Sequence, residues 1–262
     1  MFSSSLSRAP ARPDPALLRK LRARIRRLEG HAPGPAGNRA PDVVTLGAAD
    51  IDGALPWRGL PRAALHEVLG TDTGTGNAAA AGFCVALAAR LAGSTGLVLW
   101  CRRGHDPYGP GLALFGLDPQ RLIVARGRAG RDVLWAMEEG LRSGVLAAVL
   151  GETRELAPIA RRRLQLAAET GGVTGLVLRP PAAKTAPGAA LTRWRIAPAP
   201  GTAAGPRWRV ELEHCRGGMP AAWLVEWHNE ETGGFTVVAE LRHGPADHAA
   251  GPAAAGAGRL AG

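Results

Sequence analysis

Between Val43 and Arg179 the chain repeats one unit: a short apolar run followed by a stretch of helical periodicity. The runs Ala64–Leu69, Leu97–Cys101, Leu122–Ala125, Leu146–Leu150 and Thr174–Leu178 read as strands. The stretches Ala78–Leu91, Tyr108–Phe115, Asp132–Ser143 and Glu155–Thr170 read as helices. Parallel strands need crossovers of this length, and such crossovers are right-handed, so the pattern predicts a mainly parallel sheet flanked by helices on both faces. The runs "GLVLW" and "LAAVL" are apolar throughout, as strands covered on both faces should be.

After Pro180 the period changes. "PPAAKTAPGAA" reads as a loop, and Trp208, Val210 and Leu212 then alternate with Arg207, Arg209, Glu211 and Glu213. Period two marks a half-buried antiparallel strand, and "RGGMP" between two such strands marks a hairpin turn. The expected fold class is α/β, with an antiparallel β extension at the C-terminal side. Residues 1–30 comprise a start read as disordered and then "PALLRKLRARIRRLEG", in which Leu18, Leu21, Ile25 and Leu28 form one apolar stripe on an amphipathic helix. Two heptads are too short to stand alone, so the stripe is a candidate partner-docking face, with packing on its own domain as the alternative. Residues 31–42 read as a Pro/Gly linker, 43–243 as the core with its C-terminal hairpin region, and 244–262 as a disordered, low-complexity tail.

"GTDTGTGNAAAAGF", residues 70–83, lies where the first core strand becomes a helix. A phosphate loop has that position and the form G-x-x-x-x-G-K-[ST]: backbone N–H groups cradle phosphates, the Lys reaches the outer ones, and the hydroxyl holds magnesium. Gly70, Gly74 and Gly76 supply the glycines, but Thr75 stands five places after Gly70, and Asn77-Ala78 replaces the Lys-Ser/Thr pair. No Lys or Arg occurs between Arg62 and Arg90. Hydrolysis also needs an acid at a neighbouring strand tip. "GLVLW" runs into Cys101-Arg102-Arg103, whereas Glu152 follows "LAAVLG" one place late and is the candidate residual metal-side acid. The loop reads as vestigial, with no catalytic residue, no cofactor and no metal site, and ATPase activity is not expected.

The formal charge is +10 over 262 residues, and residues 1–30 hold eight basic residues against two acids. Two readings stand: a nucleic-acid or acidic-protein partner, or a GC-rich codon bias, since all but Lys20 and Lys184 of the basic residues are Arg and the chain is also heavy in Ala, Gly and Pro. Arg102 and Arg103, at a strand's carboxyl end, are candidate DNA contacts, because ligands of open α/β sheets bind there. Arg193-Trp194-Arg195 and Arg207-Trp208-Arg209 interleave cations with aromatics, but period two sends Trp and Arg to opposite faces, which favours core Trp with outward Arg. Trp100 and Trp135 also read as core. Cys84, Cys101 and Cys215 are scattered and imply neither disulfides nor zinc. The apolar stretch Phe83–Leu91 is too short for a bilayer, and "MFSSSLSRAPARP" has no apolar core of about 7–15 residues, so a cytoplasmic protein without a membrane span is expected.

"IDGALPWRGLPRAALHEVLG" resembles the entry to a RecA-type core. "GLDPQRLIVARGR", "DVLWAMEEGLRSGVLAAVLGE", "RRRLQLAAETGGVTGLVLR", "TRWRIAPAP" and "RWRVELEHCRGGMPAAWLVEW" resemble ImuA-type proteins, over residues 16–240. The resemblance implies a RecA-like core without its ATPase motifs. It also implies a noncatalytic adaptor role in DNA-damage-induced translesion synthesis and mutagenesis, within the SOS response. The partners it implies are an ImuB-type Y-family polymerase homologue and an error-prone polymerase, with RecA and a second copy of the chain as further candidates. Two alternatives remain open: a residual DNA-stimulated ATPase, and a cell-division inhibitor similar to SulA.

Overall fold

Among the described residues nine strands form one sheet, in the spatial order Gly234–Leu241, Ala221–His228, Gly205–Cys215, Thr192–Thr202, Leu65–Leu69, Thr174–Arg179, Ala148–Glu152, Val98–Arg102 and Leu122–Arg126. The computed structural model describes residues 41–71, 75–180, 190–202, 205–228 and 234–241, with Gly76 described by its backbone alone. The Leu18/Leu21/Ile25/Leu28 stripe, all but the end of the 31–42 linker, Gly74 and the 244–262 tail lie outside the described residues. The central strands are β3 (Leu65–Leu69), β4 (Val98–Arg102), β5 (Leu122–Arg126), β6 (Ala148–Glu152) and β7 (Thr174–Arg179), and all their mutual pairings are parallel. β8 (Thr192–Thr202) pairs parallel with β3 and antiparallel with β9 (Gly205–Cys215). β10 (Ala221–His228) and β11 (Gly234–Leu241) complete the antiparallel part. A two-stranded ladder, β1 (Val43–Val44) with β2 (Leu60–Pro61), and the short helix α1 (Ala49–Ala54) precede β3.

Four of the five central strands run one or two residues beyond the last apolar residue of the sequence run. β4 ends on Arg102, β5 on Arg126, β6 on Glu152 and β7 on Arg179. Ladder pairing does not depend on side-chain polarity, so it continues to the carboxyl edge; Arg102 lies opposite Arg126, and Leu69 opposite Arg179. The sequence reading stopped these four strands at the last apolar residue, although Gly151 and Arg179 beyond those points are still buried.

On one face, α2 (Gly76–Ala92) lies against the sheet and packs with the aromatic residues of the C-terminal hairpins. Phe83 is fully buried and its ring contacts Trp194, Trp208 and Phe235 at centroid separations of 5.9, 6.3 and 5.4 Å. Each such side chain stabilises the fold by about 2–3 kcal/mol through burial alone. Gly82 makes the approach possible: a Cβ there would lie 2.9 Å from Phe115 Cζ and 3.2 Å from Trp208 Cζ2. The short helix α3 (Gly109–Ala113) joins this layer through Leu112.

The other face carries α4 (Gly130–Arg142) and α5 (Pro158–Gly171) over Leu65, Val149 and Val177. Asp132 caps the start of α4, its carboxylate accepting from the N–H groups of Arg128 (2.9 Å) and Ala129 (2.8 Å). α5 starts three residues later than the sequence reading, at Pro158, whose fixed φ suits a first helical position. Gly172 ends it in the left-handed conformation. Trp135, read from sequence as core, is 64% exposed. Val133, Met137 and Leu141 set the inward stripe of α4, and Trp135 sits two residues, about 200°, from the first two.

Candidate functional site: the cleft at the carboxyl edge

The carboxyl ends of β4, β6 and β7, with the first turns of α2 and α4, enclose an open cleft of about 1170 Å³. Asn77, Arg102, Arg103 and Glu152 all line it, so the structure brings these four sequence-predicted residues together. Gly70 does not line it: it is buried one residue past β3, its N–H donating to the Arg179 carbonyl at 3.1 Å. Gly76 is the first residue of α2, and Gly74 lies outside the described residues. Glu152 occupies the last position of β6, on the strand rather than beyond it.

Glu152 is held by Arg102, with Nε 3.4 Å from a carboxylate oxygen. The Arg102 guanidinium also lies over the Trp100 ring, 5.2 Å from its centroid. Burial pushes the Glu152 carboxyl above its ordinary value, while Arg102 pulls it back. A carboxylate already paired with a stacked guanidinium is a poor magnesium ligand, and Asn77, on the cleft wall in the first turn of α2, carries no charge. Among the described residues no group of three or more His, Cys, Asp or Glu is arranged to hold a metal ion.

Sequence reasoning missed a charged cluster just inside this edge. Glu67, in the middle of β3, is fully buried and meets three arginines: Arg161 Nε at 2.5 Å, Arg179 Nη1 at 3.3 Å and Arg193 Nε at 3.5 Å. They come from α5, β7 and β8, so one carboxylate ties three elements together. Arg179 also donates from Nη2 to the Arg154 carbonyl at 3.3 Å, and burial pulls its guanidinium below the ordinary value with Glu67 opposing. The adjacent His66 is equally buried. Trp194 Nε1 donates to Thr192 Oγ1 (2.8 Å), Thr192 Oγ1 is 2.8 Å from His66 Nδ1, and His66 Nε2 is 2.9 Å from the Pro61 carbonyl. A carbonyl can only accept, so Nε2 carries the proton, Nδ1 accepts from Thr192, and burial pulls the imidazole down to about 4. The signal in the sequence was His66-Glu67 inside an otherwise apolar run.

Two other basic candidates resolve differently. Trp194 and Trp208 are core, and the arginines that alternate with them are engaged by acids on the opposite face of the sheet. Arg195 meets Glu213 at 2.5 Å, Arg207 meets Glu226 at 2.6 Å and Arg209 meets Glu211 at 2.5 Å. That face is a ladder of ion pairs, not a basic stripe. His214 is exposed and Cys215 buried because the register of β9 shifts between its pairings with Arg193 and Trp194, which leaves Glu213 as an extra residue and passes burial from Leu212 to Cys215.

Protein ImuA from each of two strains of Caulobacter vibrioides is 38% identical to this chain over 242 residues, covering 84% of this chain and 98% of the relative. Cell division inhibitor SulA of Edwardsiella piscicida is 33% identical over 88 residues, 34% of this chain and 52% of that relative. No family profile matches the chain. No described helix is long and apolar enough to cross a membrane.

Proposed function

This chain belongs to the ImuA family, and on that premise we propose that it is a noncatalytic adaptor of DNA-damage-induced mutagenesis. It works beside an ImuB-type Y-family polymerase homologue and an error-prone polymerase in translesion synthesis, in the cytoplasm. The observation that carries the noncatalytic part is the Arg102–Glu152 pair at 3.4 Å. It occupies the edge where a RecA-like core would hold magnesium and phosphate, opposite a loop with Asn77 in place of lysine. What remains is a RecA-like scaffold whose value lies in its surfaces.

The test of the adaptor is co-purification with the neighbouring polymerase homologue, using the full chain and a Leu21→Asp/Ile25→Asp variant. The wild type should retain the partner and the variant should lose it; equal retention sinks the docking role of that stripe. The test of the noncatalytic claim is phosphate release from ATP with single-stranded DNA. Release at blank level is expected, and release that disappears in Glu152→Gln would overturn it.

A second reading rests on the partial match to a cell division inhibitor. Expression without DNA damage distinguishes it: filamentous cells favour inhibition of division, and normal cells favour the adaptor.

A further inference from the structure

We infer that the carboxyl-edge cleft is a binding site for single-stranded DNA, with Tyr108 as the stacking platform and Arg103, Arg131 and Arg154 as the phosphate contacts. Tyr108 lies on the cleft wall at the start of α3 and is 76% exposed, so its ring face is open to a ligand in the cleft. Trp100 and Phe115 continue the apolar wall. Among the described residues the cleft is lined by five arginines and two glutamates. Their roles divide. Arg102 is spent on Glu152 and Trp100, and Arg179 on Glu67. Arg103 and Arg154 are exposed and have no ion-pair partner among the described residues. Arg131, with a side chain 91% exposed, is 3.6 Å from Asp132.

The distribution of these three cations selects the ligand. Arg103 follows β4, Arg154 follows β6 and Arg131 stands in the first turn of α4, so the charge is spread around the rim. A nucleoside triphosphate concentrates its charge at one end, whereas a single strand presents separated phosphates and a planar base beside each. A volume of about 1170 Å³ is also above the roughly 300–1,000 Å³ of ordinary small-ligand pockets. An acidic peptide would use the arginines but has no need of an exposed ring at the rim; base stacking on Tyr108 does.

The inference rests on the adaptor reading for its biological setting only, and its test is separate from partner retention. The full chain is titrated with fluorescein-labelled oligothymidylate of about twelve nucleotides at several salt concentrations. Anisotropy should report binding that weakens with salt. Tyr108→Ala should lose about tenfold in affinity and Tyr108→Phe should keep it. Arg103→Glu/Arg154→Glu should lower the slope of log affinity against log salt by about 1.4, at roughly 0.7 per phosphate on a single strand. Arg162→Glu, exposed on α5 outside the cleft, changes charge equally per site and should leave the Tyr108 effect in place. Because the basic segment 1–30 can also attract DNA, location is read directly by photocrosslinking iodouracil-substituted oligonucleotide and mapping the adduct. An adduct on the tryptic segment 104–121, which carries Tyr108, supports the site. Adducts confined to other segments, or cleft variants that bind as the wild type does, overturn it. So does displacement of the oligonucleotide by ATP, or binding of a poly-glutamate peptide with no binding of the oligonucleotide. Loss of the crosslink with the partner still retained leaves the adaptor reading intact and fails this one alone.

Discussion

Glu67 is one acid facing three arginines inside the sheet. Removing it leaves Arg161, which is 1% exposed, without its only ion-pair partner among the described residues. Breaking a buried pair from one side costs about 3–5 kcal/mol, so Glu67→Ala should lower the urea midpoint by a large fraction of a domain's stability. A midpoint within error of wild type would mean the cluster is held by other groups. His66 makes a prediction about acid. The native imidazole stays neutral down to about 4, whereas in the unfolded chain it takes a proton near 6.5. Between these values the unfolded state binds more protons, so stability falls as pH falls from about 6.5 to 4 and is fully present above that window. Thermal melts across that range should show the decline, and His66→Gln should flatten it. Residue identity at these positions was legible in the sequence, because two polar residues interrupt an apolar strand. Their partners were not: Thr192 lies 126 positions from His66 and Arg179 lies 112 from Glu67. Nothing local in a sequence encodes such distances.

At the scale of elements, the alternation of apolar runs and helical stretches was sufficient to find the five central strands β3 to β7 and the helices between them, but not that β8 joins β3 in parallel. What it hid was facing. α2 is apolar almost all round, so periodicity could not say which side met the sheet; the hairpin aromatics cover the rest. Trp135 is the opposite case, since its spacing from Val133 and Met137 already pointed outward and only its residue type suggested core. The strand ends at the cleft were under-read because charged residues there continue the ladder. Packing between α4 and α5 gives a test at this scale. A Cβ on Gly171 would meet the Leu141 carbonyl oxygen, a backbone atom that has no rotamer to move. On Gly151 it would meet the Met137 side chain, which can re-pack. Gly171→Ala should therefore cost about 1–3 kcal/mol or more, and Gly151→Ala less, by denaturant unfolding. The reverse order would refute the packing described for α4 against α5 and against β6.

At the scale of the molecule, the parallel and antiparallel parts share one core. Phe235 is on the outermost strand, yet it is 3% exposed, and its ring lies 5.4 Å from Phe83 of α2 and 5.0 Å from Trp227. Phe235→Ala should cost about 3–5 kcal/mol, and the variant should still unfold in one transition by both tryptophan fluorescence and circular dichroism. Two separated transitions would show that the hairpins form a unit of their own. The cleft was only partly visible in the sequence: Asn77, Arg102, Arg103 and Glu152 were found, but Tyr108, Arg131 and Arg154 carry no motif and meet only through the crossover connections.

The place of β3 has a consequence for synthesis. This strand is complete by residue 69, yet its two neighbours are β7 and β8, which begin at residues 174 and 192. A chain emerging from the ribosome therefore carries its central strand exposed on both edges while most of the protein is still being made. The hairpin strands β8 to β11 are the last to emerge, so the sheet cannot close until the last third of the chain arrives. Nascent chains stopped before residue 190 should be protease-sensitive throughout, and protection should appear abruptly once the hairpin strands have emerged. For such a molecule the interval of greatest vulnerability is set by translation speed, and a holdase that covers bare strand edges would shorten it.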